Sequence, residues 1–108
     1  MKLRYTPLAI LDLQEIRGYI QDVLLNPEAG ENMLANIAKS CAQLKEHPHM
    51  GIELRKKLNR EIDGYCLISG NYLIVYDIDE AVSILRVLDT RTNYVKVLLD
   101  DGGDSRNP

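Results

Sequence analysis

The stretch Tyr65-Cys66-Leu67-Ile68-Ser69-Gly70-Asn71-Tyr72-Leu73-Ile74-Val75-Tyr76 decides the fold. It holds two runs of apolar, largely β-branched or aromatic residues parted by Ser69-Gly70-Asn71, which is the spacing of a tight hairpin. A third run, Val82-Ser83-Ile84-Leu85-Arg86-Val87-Leu88, follows after Asp79-Glu80. Three such runs joined by a few residues each predict an antiparallel meander.

Toward the N-terminus the periodicity changes. His47-Pro48-His49-Met50-Gly51 separates the strand-like half from a region in which Ala29, Met33, Ile37, Cys41 and Leu44 recur at helical spacing. Asn26-Pro27-Glu28 is a start signal for that helix, which must end before Pro48. Ahead of it, Thr6-Pro7 pairs a capping hydroxyl with a proline whose fixed φ suits the first helical position. A helix from Pro7 to about Leu25 follows, with Ala9, Leu13, Ile16, Ile20 and Val23 as its apolar stripe. The joint between the helices is very short, so they form an antiparallel hairpin. Lys2-Leu3-Arg4-Tyr5 alternates polar and apolar residues as a short strand does.

Beyond the meander, Tyr94–Leu99 suits a short helix or a last strand. Residues 100–108, Asp100-Asp101-Gly102-Gly103-Asp104-Ser105-Arg106-Asn107-Pro108, have nothing to bury and are expected to be a mobile tail. The order is β-α-α-β-β-β in a single domain over residues 1–99. This is an α+β architecture with the helical hairpin on one face of a small antiparallel sheet.

Composition agrees with such a domain: 108 residues, 45% hydrophobic, 27% charged, with neither Trp nor Phe. No apolar run approaches the ~20 residues of a spanning helix, and no signal-peptide core follows Met1-Lys2-Leu3-Arg4-Tyr5. A cytoplasmic protein without membrane contact is expected. Cys41 and Cys66 lie in a helix and a strand without a CxxC or Cys/His cluster, and read as buried thiols. The net charge of −3 divides into +2 over residues 1–60 and −5 over residues 61–108. A protein gripping phosphate backbones presents a basic face. Here only Arg55-Lys56-Lys57, with Arg60 close behind, offers one.

With this element order in view, the chain resembles the RelE/ParE toxins of type II toxin–antitoxin systems, from about Leu3 to Leu98. The matching pieces are Tyr5-Thr6-Pro7 with Ala9, Asp12, Leu13, Ile16 and Tyr19-Ile20; then Pro48 and Gly51; then Gly70-Asn71-Tyr72 with Tyr76. The series closes with Ile84-Leu85-Arg86-Val87-Leu88, Arg91 and Tyr94. The resemblance implies a small intracellular toxin that arrests growth and is neutralised by an antitoxin encoded beside it.

Within that family, the ribosome-dependent ribonucleases bind and polarise RNA phosphate with basic side chains on the central strands. Donors are needed because charge builds on phosphate oxygens in the transition state. The resemblance aligns Gly64, Cys66 and Leu73 with those positions, and none can donate a charged hydrogen bond. Relatives commonly carry His, Arg and Asp where this chain has Asp89, Thr92 and Asn93. Asp89 sets a negative charge where a phosphate would approach. These departures favour the ParE-like branch, whose members bind DNA gyrase, over an mRNA endonuclease acting at the ribosome. A decayed toxin that keeps only antitoxin binding is the third reading.

Individual residues carry the remaining expectations. Arg86 lies in an apolar strand, so its guanidinium needs a partner, and Asp12 or Glu15 would supply a structural ion pair. Arg91 and Tyr94 follow the last strand, where a loop would present them to a target. Both are the candidates for toxicity, and the only counterparts of ribonuclease residues left. Arg55, Lys56, Lys57 and Arg60 read as a solvated run or a contact for a target or partner. His47 and His49 read as a turn and not a metal site. Tyr72 and Tyr76 share one face of a strand and read as core. No metal, cofactor or small-molecule ligand is implied. A sheet with one face bare would offer the antitoxin an apolar surface for a helix, a strand or both.

Overall fold

The computed structural model describes residues 1–106, with side chains described through residue 100. The expected meander is present as β3 (Tyr65–Ser69), β4 (Tyr72–Ile78) and β5 (Ala81–Asp89). Ser69 pairs directly with Tyr72, so Gly70-Asn71 is a two-residue turn. Gly70 takes φ +60, and glycine at the first central position is what a type II′ turn requires. Between β4 and β5, Val75 pairs with Arg86 and Tyr76 with Ile84, which leaves Leu85 as an extra, bulged residue.

The sheet has five strands in the order β1-β5-β4-β3-β2, adding β1 (Lys2–Tyr5) and β2 (Ile52–Glu53) to the meander. β1 runs parallel to β5, so the sheet is mixed and not purely antiparallel. A parallel pair needs a long crossover. Everything between Tyr5 and Ala81 serves as that connection here. β2, only two residues long, was not expected, because alternation cannot register over two positions.

Helix α1 (Pro7–Gly18) starts as expected: Thr6 Oγ1 accepts from Ala9 N (3.2 Å) and donates to Leu85 O (3.0 Å). Tyr19–Val23 continues it as a π-helical turn, with Leu24 N donating to Tyr19 O five residues back. The wider turn rotates the register. Ala9, Leu13, Ile16 and Ile20 face the core, but Val23 of the expected stripe is 61% exposed. Leu25 takes φ +53 and reverses the chain. Asn26 Oδ1 accepts from Ala29 N (3.1 Å) to cap α2 (Pro27–Gln43), which ends well before Pro48.

Successive residues of β4 point to opposite faces. Tyr72, Ile74 and Tyr76 join Ile37, Cys41 and Leu44 in the core beneath the helical hairpin. Leu73 and Val75 join a second core with Leu54, Ile62, Cys66, Leu88 and Leu98. That second core lies under α3 (Leu54–Leu58) and α4 (Tyr94–Arg106). The expectation that one face of the sheet stays bare is therefore corrected: both faces are packed. The two buried cysteines fall in different cores and are free thiols, each with its pKa raised by burial. α4 carries on through the first part of the expected tail, and residues 107–108 lie outside the described residues. Among the described residues no helix is long and apolar enough to cross a membrane.

The loop between α2 and β2 is pinned by one phenol. Tyr76 is fully buried, and its hydroxyl donates to Pro48 O (2.8 Å) and accepts from Gly51 N (3.1 Å). Its ring stacks on Tyr65, which meets His49 edge-on. A side chain at position 51 has no room, since a Cβ there would lie 2.3 Å from Cys66 O. Tyr76→Phe leaves a backbone donor and acceptor unpaired, and is expected to lower stability by about 1–3 kcal/mol in urea unfolding.

Candidate functional site

Two groups of expected residues lie at the C-terminal end of β5. The first is structural. β1 stops pairing at Tyr5↔Ile84, and the open edge of β5 is then closed by the start of α1. Thr6 N donates to Ile84 O (3.0 Å), and Asp12 Oδ2 accepts from Val87 N (2.9 Å). The same carboxylate takes a two-pronged contact from Arg86, with Nε to Oδ2 at 2.8 Å and Nη2 to Oδ1 at 3.0 Å. Both side chains are largely buried, at 17% exposure for Arg86 and 9% for Asp12. The arrangement satisfies a charge and a backbone donor together. It gives the Arg86 guanidinium a partner within the fold.

The second group is the loop 89–94. Arg91 and Tyr94, expected together on an exposed loop, are separated by the fold. Arg91 is exposed, and its guanidinium grips Asp89 through Nε to Oδ1 and Nη2 to Oδ2, each 2.9 Å. Arg91 N also donates to Asp89 Oδ1 (2.9 Å), and Thr92 Oγ1 to Asp89 O (2.6 Å). Thr90 donates through N and Oγ1 to Asn71 O in the β3–β4 turn. The loop is thus held by its own polar groups. Tyr94 opens α4 and packs half-buried on the second core, because the first turn of that helix lies against the sheet.

The Arg91 guanidinium holds the Asp89 carboxyl below the usual carboxylate range. Tyr72, buried beside it, has its phenol raised by burial, with Asp89 raising it further and Arg91 opposing. Tyr19, exposed on the π turn, adds a field contribution at both Tyr72 and Arg91. Sequence reasoning missed this Asp89–Arg91 clamp. The available signal was Asp89 in a turn, since an Asp side chain there commonly accepts from the backbone N–H two residues on, as it does from Arg91 N.

None of the positions aligned with the ribonuclease strand residues presents a charged side chain. Cys66 and Leu73 are buried at 2% and 0% exposure in the second core, and Gly64 sits at φ +108 before β3. The basic run lies elsewhere: Arg55, Lys56 and Lys57 on α3 and Arg60 just after it, all exposed. Arg55 is engaged by Asp63 (3.4 Å) and Glu53 (3.8 Å). His47 and His49 flank Pro48 in the loop before β2, and no group of three or more His, Cys, Asp or Glu among the described residues could hold a metal ion.

With this geometry established, known proteins supply the class. The fold is shared with a chain of the chromosomal ParDE toxin–antitoxin system from P. aeruginosa at a TM-score of 0.68 and 22% identity, covering 82% of this chain and 95% of that one. A family model described as the ParE toxin of the type II toxin–antitoxin system, parDE, matches residues 3–94, and the chain belongs to that family. A relative from Sinorhizobium fredii (strain NBRC 101917 / NGR234), named "Putative toxin Y4kP", is 32% identical over 97 residues, which is 90% of this chain and 96% of the relative.

Asp12→Ala takes the carboxylate away from a buried guanidinium and a backbone donor, and is expected to cost about 3–5 kcal/mol in urea unfolding. Asp12→Leu combined with Arg86→Leu is expected to recover much of that loss. For Asp89 the folded pKa is depressed, so its stabilisation is complete above the ordinary carboxylate value of about 3.9 and fades as pH falls through the folded value. Asp89→Asn is expected to remove that acid-side loss, seen by comparing thermal midpoints of the two proteins between pH 5 and pH 2.

Proposed function

We propose that this chain is a growth-inhibiting toxin that acts by binding DNA gyrase, without cutting RNA, and that a cognate antitoxin neutralises it. Membership of the ParE toxin family supports the toxin part of this reading. The observation that carries the rest is the burial of Cys66 and Leu73, where the ribonuclease branch carries basic side chains. Phosphoryl transfer needs cationic donors aimed at the phosphate oxygens, and packed apolar side chains cannot provide them. The Asp89 carboxylate on Arg91 adds to this, because a guanidinium held by its own chain must give up that partner before it takes a phosphate.

On this reading Arg91 is a target contact, while Tyr94 shapes the surface around it by anchoring the first turn of α4. Restraint by the antitoxin has no bare sheet face to use, since both faces are covered. On this reading it engages an edge of the sheet or the apolar side chains left outside, such as Leu8 and Leu11 along α1 and Tyr19 on the π turn that follows.

The test is incorporation of labelled thymidine and methionine shortly after induction of the toxin alone. Early loss of thymidine uptake is expected. Early loss of methionine uptake would overturn the reading in favour of an mRNA endonuclease, and no change in either would indicate a decayed toxin. Arg91→Ala is expected to weaken growth arrest while leaving the chain folded, with no more than the loss of one exposed ion pair in its thermal midpoint.

A further inference from the structure

The tip of the helical hairpin is apolar and open to water. Val23, Leu24 and Leu25 follow one another there at 61%, 57% and 79% exposure. Two backbone features put them outside. The π turn carries Val23 off the core-facing stripe, and Leu24 N closes that turn on Tyr19 O. Asn26 N then donates to Ile20 O (3.1 Å), and Leu25 just before it takes φ +53. Glycine or asparagine commonly fills that left-handed position at a helix end, because a bulky side chain is strained in it. The fold bears both that strain and the exposure of a leucine. Backbone strain of this kind clusters at functional contacts.

The tip is braced and its rim is acidic. Arg17 Nη2 meets Glu31 Oε1 at 2.6 Å, tying the two helices just behind it. Asp22 and Glu28 are exposed on either side of the three apolar residues. Tyr19, one wide turn below Leu24, lies close enough to the 89–94 loop for its phenol to act on the Arg91 guanidinium. The tip therefore adjoins the residue assigned above to the target. A second copy would bring the same carboxylates against Asp22 and Glu28. Three side chains also fall far short of the ~20–30 residues a side of a stable interface between two copies. An anionic lipid surface would repel the same two carboxylates. A cleft in a larger protein can surround a narrow projection and supply cations at its rim.

We propose that Val23, Leu24 and Leu25 form a knob that seats in an apolar cleft of the toxin's protein target, with cationic side chains at the rim of that cleft meeting Asp22 and Glu28. A few anchors carry most of the affinity of an interface when a pocket desolvates them fully. Holding the knob in its bound shape in advance reduces the entropy lost on binding. Arg91, beside Tyr19, extends the same contact. That the target is DNA gyrase rests on the function proposed above.

The experiment compares the full chain with its Leu25→Asn and Leu24→Ser variants, by growth arrest in cells at matched expression and by inhibition of DNA supercoiling with purified gyrase. Asparagine accepts the left-handed conformation, so the thermal midpoint of Leu25→Asn is expected to hold or rise. The same variant is expected to leave at least tenfold more surviving cells and to need at least tenfold more toxin to halve supercoiling. Loss of activity without loss of stability is what separates a contact from a folding role. Asp22→Lys with Glu28→Lys is expected to weaken both activities likewise. Undiminished arrest and supercoiling inhibition in all the variants overturn the knob and leave the gyrase reading standing. Arrest that weakens in the variants, while the unaltered toxin leaves gyrase untouched, supports the knob and overturns gyrase as its target. A toxin dimer that Leu25→Asn dissociates overturns the proposal in favour of a second copy. A chain that neither arrests growth nor inhibits gyrase removes both readings.

Discussion

The Asp12 carboxylate joins the two halves of this molecule. It holds the Arg86 guanidinium by two prongs and takes the Val87 N–H at the point where β1 no longer covers β5. Burying a guanidinium in a strand is costly unless a partner of matching geometry meets it. That partner comes from α1, so the ion pair sets where the first helix crosses the sheet edge. Thr6 works at the same junction, capping α1 and bonding to Leu85 O on the bulge. The bulge and the helix start are thereby locked to each other, and the helical hairpin is laid across one face of the meander.

Once that face is taken, the other must be covered as well, because β4 is apolar on both sides. Leu73, Ile74 and Val75 form a continuous buried run and not an alternating one. A strand buried on both faces reads this way. The short helix α3 and the C-terminal helix α4 meet the need, bringing Leu54, Leu58, Val97 and Leu98 over Cys66, Leu73 and Val75. This second layer places Cys66 and Leu73 in the protein interior.

The meander, the helix starts at Thr6 and Asn26, and the need of Arg86 for a carboxylate were all legible in the sequence. Each rests on a strong local signal: a hairpin turn with glycine, a capping side chain before proline, a lone charge in an apolar strand. The misses have equally local causes. β2 and α3 are too short to show a period. The π turn at Tyr19–Val23 shifts the helical register by a fraction of a turn that a regular wheel cannot anticipate, and so turns Val23 outward. The continuous apolar run in β4 was the available sign of a two-sided sheet.

At the candidate site the division is sharper. The absence of donors at Gly64, Cys66 and Leu73, and the acid at Asp89, are matters of residue type and needed no coordinates. Which partner each charge would find was a matter of tertiary structure. Arg91 turned to Asp89 within its own loop, Arg86 reached 74 residues back along the chain to Asp12, and Tyr94 turned to the core under α4. Sequence determines propensity and pattern, because these act over a few residues. Contact partners, strand order and which edge stays open depend on how distant segments fill the same volume, and only the folded chain decides them.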